Sequence, residues 1–218
     1  MKQKTNIRFH LLAAAAVFGL ALSASAQTTD AASTAVPADT SWGQLGSGYS
    51  GAAFTYTDIG NGSPSALRGF GLDYNLPMRA GMDWNFAYNW GRADTGALRL
   101  TQQAAMGGLT AFTAFAWGKP YVQALAGWEW QRGLGASDNS FAYTLGTGVE
   151  FQVAKPIVVT PFVNFVRATS YSRSEVDYGV KTAYRLTKEW SLSASVQYNA
   201  VVHQKDDIGY TAGVQYHF

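Results

Sequence analysis

His203, Asp206 and Asp207 come nearest in this chain to a catalytic grouping. An imidazole beside carboxylates can exchange a proton with a reacting group. Here all three fall in one polar stretch, His203-Gln204-Lys205-Asp206-Asp207, which reads as a solvated loop. His217, next to last in the chain, has no Ser-His-acid set to join. No spacing of His, Asp and Glu fits a metal centre, and Cys is absent altogether. Gly60-Asn61-Gly62 is turn chemistry, not a phosphate loop. Gly146-Thr147-Gly148 lies in an alternating stretch, where inward glycines make room in a narrow interior. The expectation is a protein with no enzyme activity, no metal and no cofactor.

The chemistry that remains is electrostatic. Asp73, Asp83, Glu150, Lys181 and Arg185 share the polar parity of their segments, and each lies a few residues from a tight turn. They should meet at one depth inside a tube. A lone charge in a confined interior is poorly hydrated, and a partner offsets that loss. The two cations are therefore expected to bridge the three acids and to plug or narrow the lumen.

Strands must position these residues. Met82, Trp84, Phe86, Tyr88 and Trp90 alternate with Asp83, Asn85, Ala87 and Asn89. Side chains alternate across a strand, so this segment has an oily face and a polar face. The same period recurs over 66–76, 122–130, 141–153, 175–186, 191–202 and 208–218. Three further strands read less cleanly. Tyr49–Asp58 is rich in Gly and Ala. Leu98–Trp117 suggests a bulge near Gly107-Gly108. Ile157–Arg167 is apolar on both faces around Pro161, which leaves its orientation open. Tight turns at 76–79, 117–120, 154–156 and 187–189 alternate with longer connections at 59–65, 91–97, 131–140, 168–174 and 203–207. The expected fold is all-β, a transmembrane antiparallel up-and-down β-barrel of ten strands, or eight if one weak hairpin is misread.

Charge placement separates a membrane barrel from a soluble one. Over the seven clear strands the aromatic face carries one charge, Arg68, beside a loop. The other face holds Asp73, Asp83, Glu129, Glu150, Glu175, Asp177, Lys181 and Arg185 among small polar residues. Trp84, Trp117 and Trp190 fall near the tight turns, and Trp90, Trp128 and Trp130 near the longer connections, as two aromatic girdles would. Only 14% of residues are charged, against about 25% in ordinary soluble domains. No apolar run beyond the N-terminus is long enough for a membrane helix.

Lys2, Lys4 and Arg8, an apolar run from Leu11 to Leu22, and Ser23-Ala24-Ser25-Ala26 form a secretory signal peptide over residues 1–26. Its removal leaves 13 of the 16 basic side chains against all 14 acids, which gives no support for nucleic-acid binding. Residues 27–45 read as a flexible periplasmic lead-in, and 46–218 as the barrel.

The signal peptide, the period-two strands and the ending Ile208-Gly209-Tyr210-Thr211-Ala212-Gly213-Val214-Gln215-Tyr216-His217-Phe218 resemble the small OmpA/OmpX-like outer-membrane barrels of Gram-negative bacteria. The resemblance implies an outer-membrane location among lipids and lipopolysaccharide. It also implies a C-terminal assembly signal, Tyr210, Val214, Tyr216 and Phe218, read by the barrel assembly machinery after periplasmic chaperones. A monomer is expected. His203 with Asp206 and Asp207 vaguely resembles the acidic and histidine site of the omptin proteases, but the Asp-x-His order is missing. The His-x-Ser triplet of lipid A deacylases does not occur. The leading expectation is a structural or surface-interaction barrel with a charge-plugged lumen. A passive porin-like channel is the alternative, and an outer-membrane protease or lipid-modifying enzyme a remote one.

Overall fold

The computed structural model describes residues 43–58, 66–95, 98–133, 136–170, 173–202 and 206–218. The expected signal peptide over 1–26, residues 27–42, the expected turn at Gly60-Asn61-Gly62, His203 and Lys205 lie outside them. Ten antiparallel strands follow in order: β1 Tyr49–Asp58, β2 Ala66–Arg79, β3 Met82–Thr95, β4 Leu98–Phe112, β5 Lys119–Gly133, β6 Ala136–Ala154, β7 Ile157–Ala168, β8 Arg173–Arg185, β9 Trp190–Val201 and β10 Asp207–His217. Each strand pairs with its neighbours in sequence, and β1 also pairs with β10, so the sheet closes into a barrel. Closure leaves no sheet edge, which is what a bilayer demands of a spanning sheet.

Register fixes the two faces. Phe54 lies opposite Phe70, Phe70 opposite Trp90, Tyr88 opposite Ala105, and Leu145 opposite Phe165, all on the outside. Phe54, Phe70, Leu72, Phe86, Trp128, Leu145, Val196 and Tyr210 are all exposed. An apolar exterior this extensive needs an apolar surrounding. The strands run from 10 to 19 residues, against the roughly 9–11 that cross a bilayer. Leu145 sits at mid-height of β6. Leu145→Arg should therefore destabilise the barrel in lipid vesicles by about 2–4 kcal/mol, measured by urea unfolding. A loss close to zero would show that this face does not meet lipid.

The strands depart from the sequence expectation in several places. No register shift occurs at Gly107-Gly108: β4 pairs continuously with both neighbours, so the expected bulge is absent. That strand also ends at Phe112 rather than Trp117, and Phe115 and Gly118 bridge across the turn that follows. The stretch 131–140 is not a loop over its described residues, because β5 runs to Gly133 and β6 starts at Ala136. The third connection, 91–97, is likewise shortened by β3, which runs to Thr95. Elsewhere Pro161 faces outward in β7, and the β6–β7 pairing skips from Gly148–Phe162 to Phe151–Val159 around it. Proline lacks the N–H that would complete the ladder there.

Candidate functional site: two polar belts in the lumen

Ahead of β1 the chain turns into the tight-turn end of the barrel. Ser47 N–H donates to Gln44 O at 3.2 Å, and Gly46 between them has φ +80. That backbone shape favours glycine at the third place of a type II turn. Residues 43–45, expected as part of the lead-in, are thus held by the barrel.

The holding groups come from most of the circumference. Gln44 N–H donates to Glu150 Oε2 at 2.9 Å, and Gly46 N–H to Asp83 Oδ2 at 2.8 Å. Asn75 Nδ2 donates to Ser47 O at 2.7 Å and to Asp83 Oδ2 at 3.1 Å. Lys119 Nζ donates to Leu45 O at 2.9 Å and stands 3.9 Å from Glu150 Oε1. Arg185 donates to Gly43 O at 3.3 Å and to Lys188 O at 2.9 Å. Gln44 Nε2 donates to Gln215 Oε1, whose amide donates to Asp73 Oδ2 at 3.1 Å. Carboxylates thus take the segment's N–H groups while cations and an amide take its carbonyls. Lys119, Asp83, Glu150, Asn75 and Gln215 are almost wholly buried in doing so.

The expected charge network is therefore built differently. Asp73, Asp83, Glu150, Lys181 and Arg185 all face this end of the lumen. Among the described residues, though, neither Lys181 nor Arg185 forms an ion pair with the three acids. Arg185 reaches backbone carbonyls, and Lys181 Nζ stands 6.0 Å from the centre of the Tyr49 ring. Lys119 is the cation beside Glu150. Gly118 and Pro120 on either side of it suggest a turn, yet it starts β5 at the inward parity of Tyr121 and Gln123. The alternation carried back through Tyr121 reaches it.

His217 lies at the same end. Its ring nitrogens meet Ser191 Oγ at 2.9 Å and Ser47 Oγ at 3.1 Å. A serine beside an imidazole is a nucleophile and base in outline. Here each nitrogen meets a serine, no carboxylate bonds the ring among the described residues, and Ser191 is buried and also donates to Gln215 at 3.2 Å. The contact clasps the segment to β9 and β10. Beside it a cavity of about 630 Å³ carries Lys155, Arg185, Lys188 and His217 on its wall.

Midway up, Gly146 faces inward as expected, and Gln123 Nε2 donates across it to Asn164 Oδ1 at 2.8 Å. A Cβ at Gly146 would stand 2.1 Å from that oxygen.

A second belt lies toward the longer connections. Arg173 Nη2 donates to both Glu175 oxygens at 2.8 Å and its Nε to Oε2 at 3.0 Å. Its Nη1 reaches Glu129 Oε1 at 3.4 Å, which joins β8 to β5 across the interior. Gln102 Nε2 donates to the same Glu129 oxygen at 2.9 Å. Asn199 Nδ2 donates to Asp207 Oδ1. Arg173 falls within the expected connection 168–174, yet it starts β8 and shares the inward parity of Glu175 and Asp177.

The expected girdle residues divide by exposure. Trp84, Trp117, Trp128, Trp130 and Trp190 are exposed on the outside, whereas Trp90 is partly covered and stacks on Phe70 at 5.6 Å. Tyr210, Val214, Tyr216 and Phe218 are also exposed. Phe218 stacks on Tyr74 at 5.7 Å, and its N–H donates to Gly48 O at 3.1 Å, closing the foot of the seam between β10 and β1.

No family model and no curated protein matches the chain. Solved structures with a similar outline include Ail, the attachment invasion locus protein of Yersinia pestis, at 12% identity and TM-score 0.38, over 79% of this chain and 97% of that one. Neisserial surface protein A follows at 14% identity and TM-score 0.38, over 78% and 96%. The β domain of the Bordetella autotransporter BrkA shows 13% identity and TM-score 0.48, over 80% and 100%. The likeness is one of general outline, and no residue, ligand or activity is carried across from it.

Proposed function

We propose that this chain is a bacterial outer-membrane β-barrel, exported by its signal peptide, whose own segment 43–48 closes the lower lumen. Its role is structural or surface-interacting and non-catalytic, and its surroundings are outer-membrane lipids and lipopolysaccharide. One observation carries the reading: the segment's backbone is hydrogen-bonded to side chains from β2, β3, β5, β6 and β8. A loose tail would not occupy so many buried partners. The closing element is thus the chain's lead-in, set among the lumen charges, in place of a direct bridge between them. The exposed tryptophans act as interfacial girdles in this reading, and the Tyr210–Phe218 face as the assembly signal.

A passive channel is the second reading, favoured by the cavity of about 630 Å³ beside the segment. Planar-bilayer recording separates the two. The intact mature chain should show little conductance, and deletion of residues 27–45 should raise it several-fold. Steady, large conductance of the intact chain would overturn the closure and leave the channel.

The orientation has its own check. With residue 43 and Phe218 at the periplasmic end, Ser137→Cys should react with an impermeant maleimide in whole cells, whereas Lys155→Cys should not. The reverse pattern would invert the topology.

A further inference from the structure

The outer face of the barrel is hollowed along one strand. On β4 the outward side chains Thr101, Gln103 and Ala105 are small or polar. In register with them stand Tyr88 and Trp90 of β3, and Trp128 and Trp130 of β5. Short side chains between two rows of rings leave a trough. Its volume is about 300 Å³, with Tyr88 and Trp130 as walls, Ala105, Gln103 and Thr101 as floor, and Arg132 at its head. Its two walls stand on strands two spacings apart, about 10 Å. The gap between their rings admits a hydrocarbon chain but not a helix, which is about 10–12 Å across.

Two observations indicate the occupant. The first is Gln103, an amide on the face that meets lipid. Tyr88 Oη donates to its Oε1 at 3.2 Å, whereas its Nε2 has no acceptor among the described residues. An amide N–H left unpaired in apolar surroundings is costly, and an occupant with a carbonyl removes that cost. The second is charge. On the outward face of β2 to β5, Arg68, Arg92, Arg99 and Arg132 gather at the loop end, with Asp94 as their one carboxylate. Asp94 is taken by Arg92 at 2.9 Å and Arg99 at 3.5 Å. Arg132 is exposed and forms no ion pair among the described residues. A guanidinium binds a phosphate through two parallel N–H groups.

Depth orders these groups. Arg92 lies ten residues along β3 from Met82, and roughly 9–11 residues cross a bilayer. Arg92 and Arg132 flank Thr101 in register, so both fall where the wall leaves the hydrocarbon. Gln103 lies below them and Ala105 deeper still. A phosphorylated lipid presents its phosphate, its ester or amide carbonyl and its acyl chain in the same sequence.

We infer that the trough between β3 and β5 is a binding site for one phosphorylated membrane lipid. Its acyl chain lies between Tyr88 and Trp130, its carbonyl on Gln103 and its phosphate on Arg132. The inference rests on the reading of the chain as an outer-membrane barrel and adds to it one defined lipid seat.

The test uses the mature chain folded in detergent micelles and titrated with diphosphoryl lipid A, with native mass spectrometry as the readout. Heat-modifiable gel mobility reports folding, and a chain that does not fold there would remove the barrel reading itself. The folded barrel should retain one lipid A, at least tenfold more tightly than the same lipid stripped of its phosphates. Arg132→Gln should weaken retention tenfold or more. Ala105→Phe should do the same with no change of charge, because its ring fills the trough from the lipid side. Lys155→Gln, at the tight-turn end, should leave retention unchanged. A folded barrel that retains no lipid A would overturn the site alone. So would undiminished retention by folded Arg132→Gln or Ala105→Phe, equal weakening by Lys155→Gln, or equal retention of the phosphate-free lipid. A dimer that Ala105→Phe dissolves would overturn it too, by making the trough a contact between copies.

Discussion

Lys119→Met should lower the unfolding free energy of the reconstituted barrel by about 3–5 kcal/mol. Lys119 is 0% exposed, and its ammonium sits between Leu45 O and the buried Glu150. Methionine nearly matches the aliphatic stem, so the change removes charge more than volume. What remains is a carboxylate buried without its cation, and that is where the cost arises. The double variant Lys119→Met with Glu150→Gln tests the cause. Glutamine removes the stranded charge and can still accept from Gln44 N–H, so the double variant should recover much of the loss. Urea unfolding in lipid vesicles reads both. A single variant as stable as the parent would mean that water or another group already balances Glu150. Loss of the Leu45 O contact should also loosen segment 43–48, so Lys119→Met should conduct more than the intact chain.

The barrel itself was legible because lipid and lumen impose opposite demands on successive residues. Met82 to Trp90 shows this at full strength, with aromatic and polar residues in strict alternation. Where the lumen wall is also apolar, the signal blurs. In β4 the inward Ala104 and Met106 adjoin the outward Ala105 and Gly107, and this imitated a bulge that the register does not contain. In β7 the inward Phe162 and Val166 hid its orientation for the same reason.

The charged belts were legible in composition but not in pairing. Strand parity put Asp73, Asp83, Glu150, Lys181 and Arg185 on the inner wall, and they are there. Parity cannot say which wall residues meet across a tube. Lys119 and Arg173 were missed because turn-like residues, Gly118 and Pro120 in one case and Ser170 and Ser172 in the other, drew the strand limits too tight. Segment 43–48 left no periodic signal, since six residues in a turn have no face. Its seat depends on partners such as Glu150, 106 residues away from Gln44.

Gly127→Val should abolish the folded barrel, whereas Ala126→Val, one residue away, should leave it intact. Gly127 points inward from β5, where it pairs with Met106 of β4. A Cβ there would stand 1.9 Å from Ala105 O and 2.8 Å from Met106 Cα, both backbone atoms of the paired strand. No rotamer relieves a clash that begins at Cβ. The two strands would have to separate, and within lipid each hydrogen-bonding group so freed costs several kcal/mol. Ala126 points outward and is exposed, so its added methyl groups meet acyl chains. The pair thus holds hydrophobicity and strand position nearly constant and changes only the face. Heat-modifiable gel mobility of protein from cells gives the readout. A folded Gly127→Val barrel would show that β4 and β5 run farther apart than their register implies. An unfolded Ala126→Val would show that the outer face is packed against protein instead of lipid.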